Sequence, residues 1–71
     1  MKKLYIDSEF ITLTQFLKME SFISSGGEAK YFLAEEEVYL NGELENRRGK
    51  KIYHGDFVLI RGEEYQIINE N

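Results

Sequence analysis

The sequence predicts a small α+β fold, with two short N-terminal helices packed on a small, mostly antiparallel β-sheet. Three observations predict it. Thr12-Leu13-Thr14-Gln15 and Ser25-Gly26-Gly27-Glu28 are both S/T-x-x-E/Q helix-start signals, and each precedes an apolar stripe of helical period. After Glu37 the apolar period drops from that of a helix to that of a strand. Glycine-containing turns at Asn41-Gly42, Gly49, Gly55-Asp56 and Arg61-Gly62-Glu63-Glu64 then divide the rest of the chain into short segments.

Taken in order, Leu4-Tyr5-Ile6 reads as a first strand. Thr12 is the expected N-cap of helix one, with the Gln15 side chain reaching back and Ile11 and Phe16 at the staple positions. Leu13, Phe16 and Leu17 make its apolar face, and the helix should cover residues 13–20. Phe22 and Ile23 follow in a buried connection. Ser25 is the expected N-cap of helix two, which carries Ala29, Phe32 and Leu33 inward and should end at Glu35 or Glu36. Val38, Leu40 and Leu44 then point one way, with Tyr39 between them. Asn41-Gly42 marks a hairpin, because both of its residues must accept positive φ. Residues 57–60 and 65–68 read as strands around a turn at 61–64. The expected core is Leu13, Phe16, Leu17, Phe32, Leu33, Val38, Leu40, Ile52, Val58 and Ile60.

With 71 residues, 42% hydrophobic and 31% charged, residues 1–71 should form one domain with one modest core. Cysteine is absent, so neither disulfides nor thiolate metal sites arise. No apolar run approaches the roughly 20 residues of a membrane span, and Asp7 falls where a signal peptide needs its apolar stretch. A cytoplasmic protein without membrane contact is expected. Catalysis is not: the single histidine, His54, sits in a turn, and no G-x-S-x-G or spaced D-x-D motif occurs. Gly26-Gly27 opens a helix, but no G-K-[ST] follows to make a phosphate-binding loop. Glu35-Glu36-Glu37 reads as a solvated helix end. No cofactor, metal or small-molecule substrate is expected, and a monomer is.

The net charge of −4 argues against nucleic acid, but the average conceals a cluster. Arg47, Arg48, Lys50 and Lys51 fall within five positions. Such a loop can simply keep an edge strand soluble. Two features point further: arginine forks suit phosphate, and Gly49 lets a ligand approach the backbone closely. Helix two adds a third. At 100° per residue, Gly26, Gly27 and Ala34 share the side of Lys30, while Glu28 and Glu35 lie on the opposite flank. One flank is therefore acidic; the other is smooth, carries one cation and leaves a helix N-terminus open. The plainer alternative is that Gly26-Gly27 only makes the turn between helices.

Together these residues resemble the S4 RNA-binding domain, a small αL-type module, and within it the stand-alone bacterial YaaA-like subfamily. The resemblance rests on Ile11-Thr12-Leu13-x-Gln15-Phe16-Leu17-Lys18, Ser25-Gly26-Gly27-Glu28-Ala29-Lys30, Val38-x-Leu40-Asn41-Gly42-Glu43, Arg47-Arg48-Gly49-Lys50-Lys51, Ile52 and Gly55-Asp56-x-Val58-x-Ile60, over about residues 11–60. It implies a non-catalytic protein that binds structured RNA, ribosomal RNA or the ribosome among its expected partners, through Ser25, Gly26, Gly27 and Lys30 on the helix side and Arg47, Arg48, Lys50 and Lys51 on the loop side. Recognition should be of shape and phosphate positions, since an RNA helix hides its major-groove edges. Two positions depart from the family pattern. Gly26 stands where an arginine is common, removing one charge. Glu36 stands where a left-handed glycine usually ends helix two; a left-handed Glu36 would cost about 1 kcal/mol and leave a loose helix end. The competing reading is a small acidic protein-interaction module whose basic loop docks on a partner protein.

Overall fold

The computed structural model describes residues 1–70. Two strands, β1 (Lys2–Ile6) and β2 (Phe10–Thr12), lead into helix α1 (Leu13–Met19). A single 3-10 turn, Gly26–Glu28, opens helix α2 (Ala29–Glu35). Five strands follow: β3 (Val38–Leu40), β4 (Glu43–Leu44), β5 (Lys51–Tyr53), β6 (Phe57–Ile60) and β7 (Glu63–Asn69). The main sheet has the order β1-β7-β6-β3-β4, antiparallel except for the parallel pair β1·β7. A separate antiparallel ribbon joins β2 to β5.

The local chemistry explains the elements. Thr12 caps α1 through Oγ1, which accepts from Gln15 N, while Gln15 Oε1 accepts from Thr12 N, so the reciprocal box is complete. Asn41 and Gly42 both take positive φ and close the β3·β4 hairpin, with Leu40 opposite Glu43. Leu13, Phe16 and Leu17 from α1 meet Ile52 from the ribbon and Val58, Ile60 and Ile67 from the sheet, all fully buried. Ala29 and Leu33 bring α2 onto the same core, and Tyr65 meets the Phe16 ring edge-on at 5.2 Å. Among the described residues, no helix is long and apolar enough to cross a membrane.

Several expectations are corrected. A second strand follows the expected first one before helix one, since residues 10–12 pair with β5 as well as leading into the helix cap. Arg61 and Gly62 alone form the last turn, both at positive φ, and the strand resumes at Glu63. Leu44 pairs with Tyr39 on the outer side of the sheet and is 59% exposed, so it does not share the inward side of Val38 and Leu40. Phe32 only half-enters the core, stacking on Phe22 at 5.6 Å. Ile6, Ile11, Ile23, Ala29, Tyr65 and Ile67 complete the core. Glu36 is extended, at φ −108° and ψ 138°, so no left-handed penalty arises. Nor is that helix end loose: the Arg61 guanidinium pairs with Glu36 Oε1 and lies over the Phe22 and Phe32 rings at 5.7 and 5.5 Å. A cation there also offsets the acidic residues at the negative end of the helix dipole.

Candidate nucleic-acid interface

The basic loop is fastened by its backbone. The first N–H groups of a helix have no partner within it, and here the loop supplies them. Leu13 N donates to Lys50 O at 2.8 Å, and Thr14 N and Oγ1 both donate to Arg48 O, at 3.0 and 2.8 Å. A further bond, Lys50 N to Arg47 O, tightens the turn around Arg48 and Gly49. With its carbonyls drawn onto α1, the loop leaves the Arg48 side chain exposed. Thr14 also touches the other side of the interface, because a Cβ on Gly26 would lie 3.8 Å from Thr14 Cγ2. The turn opening helix two is thus beside the residue that holds the basic loop.

Between them runs an open groove of about 610 Å³. Lys30, Leu33 and Ala34 form the α2 wall, and Asn46, Arg47, Arg48 and Gly49 form the loop wall. Glu28 and Glu35 line a different hollow, with Phe22 and Phe32. Lys30 Nζ lies 5.9 Å from the exposed Tyr31 ring.

The expected contact residues do not all fall in this groove. Lys30, Arg47 and Arg48 line it. Lys50 is half-buried, and Lys51 sits on the β2·β5 ribbon with its ammonium 4.7 Å above the Phe10 ring. Ser25, Gly26 and Gly27 are exposed beside it without forming its wall. Ser25 N and Oγ donate to Glu28 Oε1, as do the same groups of Ser24, and the Ser24 hydroxyl is the largest cause of the lowered Glu28 pKa. A carboxylate therefore already occupies the start of helix two. The 100° geometry also fails there, because the first turn is a 3-10 turn.

Arg47 differs from Arg48. Its Nε and Nη2 form a fork onto Glu45 Oε2 and Oε1 at 2.9 and 3.0 Å, and its backbone N adds a third bond. The Glu45 side chain is only 10% exposed. Hydrogen bonds from Arg47 hold its carboxyl at about 2, against an ordinary 4.5, outweighing the burial that acts the other way. Arg47 is raised in turn by the same contact. The Arg47 fork is thus closed, and Arg48 and Lys30 are the groove cations without a carboxylate partner among the described residues. Sequence reasoning missed Thr14, Glu45 and Asn46. Thr14 was visible only as part of a cap, and nothing in Glu45-Asn46-Arg47 announces a pair that closes over two positions.

Residues 4–68 match the S4 domain family over nearly the whole chain. The chain belongs to the S4 domain family. Two curated relatives agree. The "Probable ribosome maturation protein RlbA" of Bacillus subtilis (strain 168) is 55% identical over 65 residues, covering 90% of this chain and 92% of its own. The "Putative RNA-binding protein YbcJ" of Escherichia coli (strain K12) is 34% identical over 58 residues, covering 82% and 83%. An RNA-binding role follows for this S4 domain.

Proposed function

We propose that this S4 domain is a non-catalytic, monomeric, cytoplasmic protein of the YaaA-like subfamily that binds structured ribosomal RNA through the groove between α2 and the 46–51 loop. The observation that carries this reading is the convergence of Lys30 and Arg48, from separate segments, on one open groove. Ala34 and Gly49 leave room for a sugar–phosphate backbone, and the acids of helix two line another hollow. The ribosome-maturation name of the Bacillus subtilis relative supports ribosomal RNA as the target. Lys30 and Arg48 are the primary phosphate ligands in this proposal. Arg47 presents its remaining donors, Lys50 and Lys51 add longer-range field, and Ser25, Gly26 and Gly27 form the edge over which the RNA backbone passes.

A salt titration tests it, with wild type and Arg48→Ala against ribosomal RNA and a scrambled duplex. Three phosphate contacts give a log–log slope of about −2 to −3. Arg48→Ala should weaken binding to every RNA sequence and flatten the slope by about one contact. Equal slopes remove Arg48 from the site. No binding to either RNA at low salt favours the protein-docking reading of the basic loop.

A further inference from the structure

The main sheet has helices on one face only, and its other face carries several exposed apolar side chains. In such a sheet the solvent side ordinarily carries polar side chains. Here the strand registers place Leu44, Tyr39 and Leu59 side by side across β4, β3 and β6, with Phe57 diagonal to Tyr39; Glu64 and Gln66 of β7 separate them from Tyr5, which stands opposite Ile68. Leu44, Tyr5 and Leu59 are 59, 51 and 37% exposed. A patch of this kind on a small soluble protein marks an interaction surface.

Two adjoining hollows give the patch its chemistry. One, of about 180 Å³, lies between Tyr39, Phe57, Leu59 and Gly42, with Glu64 at its β7 side. The second, of about 510 Å³, shares Tyr39 and Leu59 but is bounded by Glu35, Glu36 and Glu37. Arg61 also lines it, paired to Glu36. Glu35 is in no ion pair among the described residues. Glu37 acts on Tyr39 by its charge and by a hydrogen bond, both of which raise the phenol. Glu64 stands opposite Leu59 on β7. Lys3, opposite Gln66, is the cation at the far β1 side.

We propose that this outer sheet face docks a basic segment of a partner protein, seating an apolar side chain between Tyr39, Phe57 and Leu59 and a neighbouring lysine or arginine against Glu35 and Glu37. Charge complementarity selects this occupant. A second copy packed face to face would bring the same acids against these ones. RNA would bring phosphate against those carboxylates. The groove between α2 and the 46–51 loop lies elsewhere and remains free, so both surfaces can be occupied together.

The probe is a fluorescein-labelled octapeptide alternating leucine with lysine, beside two controls that alternate leucine with serine and lysine with serine. The leucine–lysine peptide should bind at least about tenfold more tightly than either control, the scale expected for burying one leucine-sized side chain. Leu59→Ser and, separately, Leu44→Ser should each weaken it severalfold while leaving ribosomal RNA binding unchanged; both positions are exposed, so the fold is kept. Glu35→Gln with Glu37→Gln should also weaken it. Amide shifts on titration should centre on residues 39, 57 and 59. Equal binding of the leucine–lysine and lysine–serine peptides, or binding unaffected by both serine variants, reduces the contact to bulk charge and overturns the proposal. A concentration-dependent dimer abolished by Leu59→Ser overturns it in favour of a second copy. Shifts at residues 39 and 57 produced by an RNA oligonucleotide overturn it in favour of RNA.

Discussion

The two helices begin with the same sequence signal and end in different roles. Thr12-x-x-Gln15 forms a complete reciprocal cap, and loop carbonyls take the next N–H groups, so the start of α1 is fully occupied. All three residues of its apolar stripe are buried. Ser25-x-x-Glu28 gives a 3-10 turn in which Glu28 gathers both serines, and only Ala29 and Leu33 of the α2 stripe are buried. One helix is pinned at its start and along its whole apolar stripe, with Gln15, Lys18 and Met19 left to solvent. The other lies on the surface with Lys30 and Ala34 turned to an open groove. Matching cap signals predict where helices start, whereas the burial of the stripe that follows tells which helix is anchored in the core and which lies exposed beside the groove.

The largest expected effect tests that contrast in the core. Phe16→Ala should cost about 3–5 kcal/mol, enough to unfold a domain of this size. Phe32→Ala should cost less, about 1–3 kcal/mol, because its ring is only partly buried at the edge of the core, against Phe22 and Arg61. Urea melts of both variants measure the difference. Equal losses would mean that α2 is as deeply anchored as α1.

The contrast also separates what was legible in the chain from what was not. Local, short-range signals succeeded: the Thr12–Gln15 box and the Asn41-Gly42 turn are complete within four residues. The last turn is narrower than the sequence suggests, because Arg61 takes the positive φ that arginine rarely adopts. The parallel pairing of β1 with β7 joins the two ends of the chain, and no local period encodes a partner so far away. The site divides in the same way. The basic residues were visible, but their inequality was not: Arg47 is closed onto a buried Glu45, while Arg48 is turned outward by bonds its own carbonyl makes to Thr14.

Glu45 sharpens the comparison on the loop side of the groove. Its folded pKa, about 2, is below its ordinary 4.5, so the unfolded chain binds more protons between those values. Its contribution is complete above pH 4.5 and is lost as pH falls toward 2. Glu45→Gln should cost about 1–2 kcal/mol at neutral pH, a modest figure because Arg47 is largely solvated. The gap between wild type and variant should narrow through that acid window. Thermal melts from pH 7 to 2 check the sign; a gap that stays constant would show that the loss does not come from the ionised Glu45 carboxylate. The variant should also free the Arg47 fork, so its RNA slope should hold or steepen.

The smallest effect concerns Gly27, on the working side of the contrast. A Cβ there meets no atom within 4 Å, and its φ is not in the left-handed region. Nothing in the fold therefore requires glycine. Gly27→Ala should be neutral or stabilise by up to about 1 kcal/mol by restricting the unfolded chain. It should leave RNA binding nearly unchanged, since one methyl at the groove edge removes no charge. Gly27→Glu should be equally tolerated by the fold, yet it sets a carboxylate one turn before Lys30, where i and i+3 side chains are neighbours. That carboxylate would pair with one of the two groove cations and repel phosphate. Binding should fall severalfold at low salt and less at high salt, where screening mutes the new charge. The check is a melt and a salt titration on both variants. A melt lowered equally by alanine and glutamate would make Gly27 a purely structural turn residue. Unchanged binding by the glutamate variant would move the RNA path away from the start of α2 and onto the loop alone.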